Sequence, residues 1–265
     1  VSSSVSTGVR GRRSRWVRGV ALLALCAGVG LSASEASGDE GLPPPEEGQL
    51  AGSVASTGRG EIAVGRQWFR LPRLALWAQI GNDDDGADPP NVRAEVYVMS
   101  PARGRHRYGE SPEFGVRTLA FGLIPAEATV QIAQLRDGRF PEPWVVSGGP
   151  VLSEGDHVME GRAEIRITGL ELDGRSVDDL TGVCRAGPLM LRLEAGPGYL
   201  PYGGGELSGT IDVPAFRGCG NPHLDRLVTS MVSGPGNRIA VRQGPISIGR
   251  PWPDTTPEQF PLDGE

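Results

Sequence analysis

The chain has 265 residues, with 40 glycines, 23 prolines and a net charge of −6. Glycine and proline together stay just below the roughly 25–30% at which a chain usually fails to build a packed core. All 26 basic residues are arginine, which excludes Schiff-base, P-loop-lysine and Ser-Lys chemistry.

The N-terminus reads as an export signal. Arg10, Arg12, Arg13, Arg15 and Arg18 form a basic stretch without an acid, an apolar run extends from Val17 to Leu31, and small residues gather from Ser32 to Ala36. Basic, apolar and small-residue segments in that order make a secretory signal peptide over 1–36. The apolar run is shorter than the about 20 residues that a membrane-spanning helix needs. Two variants stand beside this reading. Arg12-Arg13 suits a twin-arginine signal, although Arg15 occupies a position that favours an apolar residue. Cys26 suits a lipoprotein, although Leu25 precedes it where a small residue is required. Removal of 1–36 leaves 21 basic and 31 acidic residues, net −10. Such a surface opposes nucleic acid and anionic membrane, so the membrane is expected to be met only through the signal peptide.

Residues 37–60 are polar, rich in glycine and proline and without periodicity, which predicts a disordered linker. Residues 251–265 read as a tail. Between them, 61–250 is expected to hold one β domain, or two submodules over 61–150 and 151–250.

Inside that span the period is two. Val92, Ala94, Val96 and Val98 alternate with Arg93, Glu95 and Tyr97. Ala163, Ile165 and Ile167 alternate with Arg162, Glu164 and Arg166. Leu189, Leu191 and Leu193 alternate with Met190, Arg192 and Glu194, and Leu207, Ile211 and Val213 oppose Ser208, Thr210 and Asp212. These are half-buried strands with one wet face. Residues 66–71, 74–80, 115–124 and 127–136 are further candidates. Asp137-Gly138 and Asp173-Gly174 are tight-turn dipeptides, and Ser233–Asn237 reads as a longer hairpin loop between 227–232 and 238–243. Asn221 as N-cap and Pro222 at the first helical position predict one helical turn over 222–226 before a strand. Short strands separated by Gly/Pro turns predict an all-β, immunoglobulin-like antiparallel sandwich.

Several clusters are candidates for chemistry. With Gly86 as the sixth position of an EF-hand loop, Gly81 and Val92 fall where carboxylates or their substitutes are required, so Asn82–Asp88 fails that motif. It reads as a solvated acidic turn or a looser calcium site. Arg103, Arg105, His106 and Arg107 lie in one short loop, whose guanidiniums suit a phosphate, a sulfate or a carboxylated sugar. No G-x-S-x-G elbow occurs, and Asp156-His157 and His223 with Asp225 are adjacent pairs without a triad spacing. Trp68, Trp77, Trp144 and Trp252 could form a carbohydrate platform, with core burial the expectation for Trp68 and Trp77. Cys184 and Cys219, the pair outside the signal, read as a disulfide closing 35 residues, worth roughly 3–4 kcal/mol. Zinc would need more ligands than His106, His157 and His223 supply at their spacing. No cofactor or metal site is expected.

The region from about 115 to 248 resembles exported actinobacterial β-rich proteins of uncharacterised function. The resemblance rests on Leu172-Asp173-Gly174, Cys184-Arg185, Gly204–Thr210, Pro214–Gly220, Leu224–Leu227, Ser233–Asn237 and Gln243-Gly244-Pro245, with Arg117–Gly122 upstream. It implies export and a β-rich fold, and brings no catalytic residues. Members often carry another cysteine after Gln-Gly-Pro. Here Ile246-Ser247-Ile248 follows, which leaves Cys184 and Cys219 to each other. The reading is a secreted, non-catalytic β-sandwich with a binding or structural role at the cell envelope or outside the cell. The alternatives are a secreted hydrolase using Asp156 and His157 or a carboxylate pair, and an anion- or calcium-binding module.

Overall fold

The computed structural model describes residues 42–248 apart from 44, 84–85, 102–104, 151 and 181–183. The signal segment, Cys26, Arg103, Trp252 and the tail lie outside the described residues. The strands in chain order are β1 (Leu50–Ile62), β2 (Gln67–Asn82), β3 (Asn91–Val98), β4 (Phe114–Ala120), β5 (Ile124–Gln134), β6 (Arg136–Asp137), β7 (Phe140–Pro141), β8 (Trp144–Pro150), β9 (His157–Leu172), β10 (Arg175–Ser176), β11 (Arg185–Ala195), β12 (Gly205–Val213), β13 (Gly234–Gln243) and β14 (Ser247–Ile248). One helix, α1 (Pro222–Val232), separates β12 from β13.

The fold is all-β and antiparallel, but it is a barrel rather than the expected sandwich. The main sheet runs β11-β12-β13-β1-β2-β3-β8-β9, and β9 pairs back onto β11 from Arg185↔Arg166 to Glu194↔Val158. That last pairing closes eight strands into a ring, in which β11 and β12 pair only at Glu194↔Ser208 and Ala195↔Leu207. Alternation fixes only which face of a strand is dry, and a sandwich and a barrel alternate alike. The closing pair joins strands by hydrogen bonds that no local pattern announces.

β9 is the strand that makes closure possible. It has 16 residues, so one edge holds β11 while the other holds two partners in succession. β8 takes its first residues (Val145↔Glu160 to Gly148↔His157), and β5 takes the rest (Ala126↔Leu172 to Gln134↔Ala163). β4 pairs with β5 and ends the path. The β4–β5 hairpin therefore continues the wall beyond the point where β3 and β8 stop. Its turn places Phe121 and Gly122 at φ 53° and 71°, a left-handed pair that a glycine eases.

Two expectations need correction. Residues 50–60, expected in a disordered linker, form most of β1, which lies between β2 and β13 in the barrel wall. Small residues hid this strand, and they are small because neighbours occupy their Cβ space. A Cβ at Gly58 would lie 2.9 Å from Leu71 Cδ1, and one at Gly60 would enter the Phe69 ring. Residues 227–232, expected as a strand, belong to α1. Asn221 Oδ1 accepts from the N–H of His223 (2.9 Å) and Leu224 (3.1 Å), Pro222 opens the helix, and Val228 and Met231 are buried beneath it. Cap and stripe thus outweigh the β-branched residues of that stretch. Ser233–Asn237 accordingly leads from helix to strand, with Gly234 already in β13. The dipeptide Asp173-Gly174 does turn β9 into β10, at φ 50° and 73°.

One barrel core draws on both halves of 61–250. Val92, Ala94, Val96 and Val98 of β3 join Ala163, Leu189, Leu191, Leu193, Leu207 and Val241 in a single cluster. Two submodules would have kept these apart. A second cluster sits at one end, where Val116, Val130, Ile167, Val213, Phe216, Val228 and Met231 surround the Cys184–Cys219 disulfide. Both cysteines are fully buried. The bond pins the segment before α1 against β11, beside reciprocal backbone hydrogen bonds between Arg185 and Arg217 (3.0 and 2.9 Å).

Candidate functional site

The barrel wall turns its apolar alternation inward, and the interior is not filled. Among the described residues, three cavities follow one another along it. The largest, about 80 Å³, lies toward α1 and is bounded by Phe69, Phe114, Val116, Val213, Phe216 and Val232 among others. The next, about 60 Å³, shares Leu71, Ile132, Ile165, Ile211 and Ile239 with it and adds Trp144, Met159, Ala163 and Leu193. The third, about 20 Å³, shares Ser56, Leu76, Met159 and Val241 with the second and reaches Tyr199 and Gln243. The series tapers from the disulfide end to the far end.

The far end is closed by a polar plug. Tyr199 Oη donates to Gln243 Oε1 (3.1 Å), and Gln243 Nε2 donates to the Pro201 carbonyl (3.1 Å). Burial raises the Tyr199 pKa above its ordinary value, with the Gln243 contact opposing. His157 lies against the Tyr199 ring at 5.9 Å between centroids, and it is 1% exposed. Burial, which penalises the charged imidazolium, lowers its pKa below 6.5, against smaller raising contributions from the Gly149 backbone and Asp156.

The wide end has a weak wall. Residues 67–73 of β2 pair with β1 on one side only, because β3 begins its pairing at Leu76. β4 pairs with β5 only and lies against β2. Among the described residues no β-ladder joins these two facing edges. Phe69 and Phe114 stack across the seam, 6.2 Å between centroids and 19° from parallel, and both border the largest cavity.

Polar groups bordering the three spaces are few. Ser111 Oγ donates to the Pro112 carbonyl (2.9 Å) and accepts from Ile132 N–H (2.9 Å). Asn237 accepts from Ala63 N–H (3.0 Å) and donates to the carbonyls of Gly234 (2.8 Å) and Ile211 (3.3 Å). Arg238 is an exposed residue of β13, 3.6 Å from Glu61. Ser56 is fully buried, and its hydroxyl has no hydrogen-bond partner.

The residues singled out from sequence fall elsewhere. Arg105 and Arg107 are exposed and His106 half-buried, on a loop that leads into Tyr108, which clusters with Trp77 and Tyr97 apart from the barrel core. Arg105 N–H donates to Glu110 Oε2 (3.2 Å), and Arg107 lies over the Tyr108 ring. Glu110 is buried and bound to Arg166 Nη1 at 2.7 Å; Arg166 also reaches Glu164. Burial works against the Arg166 charge, but the two carboxylates outweigh it and its pKa is raised. The acid at the base of this loop is thus already matched by a guanidinium from β9. Asp156 is exposed while His157 faces inward, so the pair does not form a dyad. Among the described residues no group of three or more His, Cys, Asp or Glu side chains could hold a metal. Trp77 and Trp144 are buried, but Trp68 is 59% exposed, contrary to its expected place in the core.

Ser56, Phe69 and Phe114 were missed. Ser56 stands in the small-residue run read as a linker, and the two phenylalanines come together only through the fold. The inward position of Val54 and Ser56, two apart, was the one local sign. No known family model matches the chain, and no curated protein and no solved structure matches it. Among the described residues no helix is long and apolar enough to cross a membrane.

Proposed function

We propose that this chain is a non-catalytic binding module of the cell envelope or the extracellular space, and that it holds one slender apolar molecule inside its barrel. The tapering series of apolar cavities is the observation that carries this reading. Eight-stranded barrels are near the size at which the interior either fills with side chains or admits one small ligand. Here it is incompletely filled, and each methylene taken from water into it gains about 0.8 kcal/mol. A chain one carbon wide suits a row of narrow spaces better than a fused ring system does. The seam between β2 and β4 is the natural entry, since opening it breaks a contact between two rings and no strand ladder. The extracellular setting draws support from the basic-then-apolar N-terminus and from the buried disulfide, which persists in oxidising compartments.

The test is a titration with octan-1-ol followed by methyl NMR. Shifts are expected at Leu71, Ile165, Ile211 and Ile239, together with a rise in melting temperature. Saturable binding that leaves these interior methyls unmoved, or no binding at all, would overturn the reading.

A further inference from the structure

We infer that the bound molecule carries one neutral oxygen near its buried end and that Ser56 is the residue that selects it. This rests on the reading of the barrel interior as a binding site. Among the described residues, the buried polar side-chain atoms without a partner belong to Ser56, Arg73 and His157. Of these, only Ser56 borders the cavities, and it borders both the second and the third. Its cross-strand partners are Leu74 on β2 and Gln243 on β13; Gln243 is engaged by Tyr199 and the Pro201 carbonyl, and the side chains shared by the two spaces, Leu76, Met159 and Val241, are apolar. A buried hydroxyl without a partner is a standing penalty, and alanine would fill the same place in β1 without it. A ligand oxygen removes the penalty. Since one hydroxyl both donates and accepts, an alcohol and a ketone are both suitable.

The charge state follows from the same walls. No charged side chain borders the second or the third cavity. A carboxylate brought there would be desolvated without a counterion, at a cost far above what a single hydroxyl returns. The position follows from the taper. A chain entering at the wide end passes the first space and meets Ser56 in the second, beyond which lies only about 20 Å³. The selected class is therefore a neutral aliphatic alcohol or ketone with its oxygen at or near the leading end.

The experiment measures the dissociation constants of hexane, hexan-1-ol and hexan-2-one for the full chain and for Ser56→Ala. The expected result is a loss of about tenfold in the affinity for hexan-1-ol and hexan-2-one in the variant, with hexane unchanged or tighter. A uniform change across all three probes, or none, would overturn the role of Ser56 while leaving the interior site in place. Failure of the unsubstituted chain to bind any probe would overturn the site itself and this inference with it. Circular dichroism and melting temperature keep the comparison sound, since Ser56→Ala removes an unpaired group and is expected to fold at least as stably.

Discussion

Removing the Cys184–Cys219 bond frees a loop of 35 residues in the unfolded chain. In the chain-entropy account, closing a loop of that length is worth about 4 kcal/mol at 25 °C. For a domain of this size, each kcal/mol moves the melting temperature by roughly 2–4 °C. The double variant Cys184→Ala, Cys219→Ala is therefore expected to melt about 8–16 °C below the oxidised chain. Both sulfurs are fully buried between β11 and the segment leading into α1, so alanine also leaves a small void. The unsubstituted chain melted in reductant separates the two contributions, because its thiols still fill the space. Differential scanning calorimetry of the three samples makes the comparison. A reduced chain that melts within about 3 °C of the oxidised one would mean that the bond does not restrain the unfolded ensemble.

Gly161 on β9 lies beneath Trp144, and a Cβ there would come 2.8 Å from Trp144 Cγ and 3.0 Å from its Cα. Gly161→Ala should cost about 1–3 kcal/mol by overpacking, read as a lower urea midpoint; an unchanged midpoint contradicts the packing. His157 is held neutral by burial, so its folded pKa lies below its unfolded value of 6.5. Its contribution to stability is complete above pH 6.5 and falls as the pH drops from there toward the folded pKa, by about 1.4 kcal/mol per pH unit within that window. His157→Phe should flatten this limb of the stability curve, and equal slopes in both proteins would dismiss the effect. At the seam, Phe114→Ala should speed both entry and escape of octan-1-ol in stopped-flow measurements more than it changes affinity. Unaltered rates would place the entry elsewhere.

What the sequence disclosed depended on solvent contrast. β3, β9, β11 and β12 were legible because each has a wet face, so Val92 to Val98 or Leu189 to Leu193 alternate with charged or polar residues. β1 was not legible, because close packing by Leu71, Phe69 and β13 demands glycine, alanine and serine there, the same residues that make linkers. Closure was hidden because the β9–β11 pair is a property of the whole ring. The disulfide was readable once Cys26 was assigned to the basic-then-apolar N-terminus, as chemistry leaves the two remaining thiols few alternatives. The interior spaces were not, since their walls are ordinary core residues and, among the described residues, the unsatisfied group that borders them is a serine. Charged loops drew attention instead. Arg105, His106 and Arg107 are conspicuous in a chain but lie on the outside of the barrel, beside a carboxylate that Arg166 already neutralises.

If the proposed ligand occupies the space inside the barrel, a side chain that fills this space should exclude it. Ala163 borders the second cavity, about 60 Å³, and its side chain faces inward. Ala163→Leu puts three more carbons into that space. The variant is expected to fold as stably as before, or more stably by about 0.5–2 kcal/mol as for other cavity-filling changes, with octan-1-ol binding reduced at least about tenfold, the equivalent of about 1.4 kcal/mol. A stably folded Ala163→Leu variant that binds octan-1-ol as tightly as the unsubstituted chain would contradict occupation of that space.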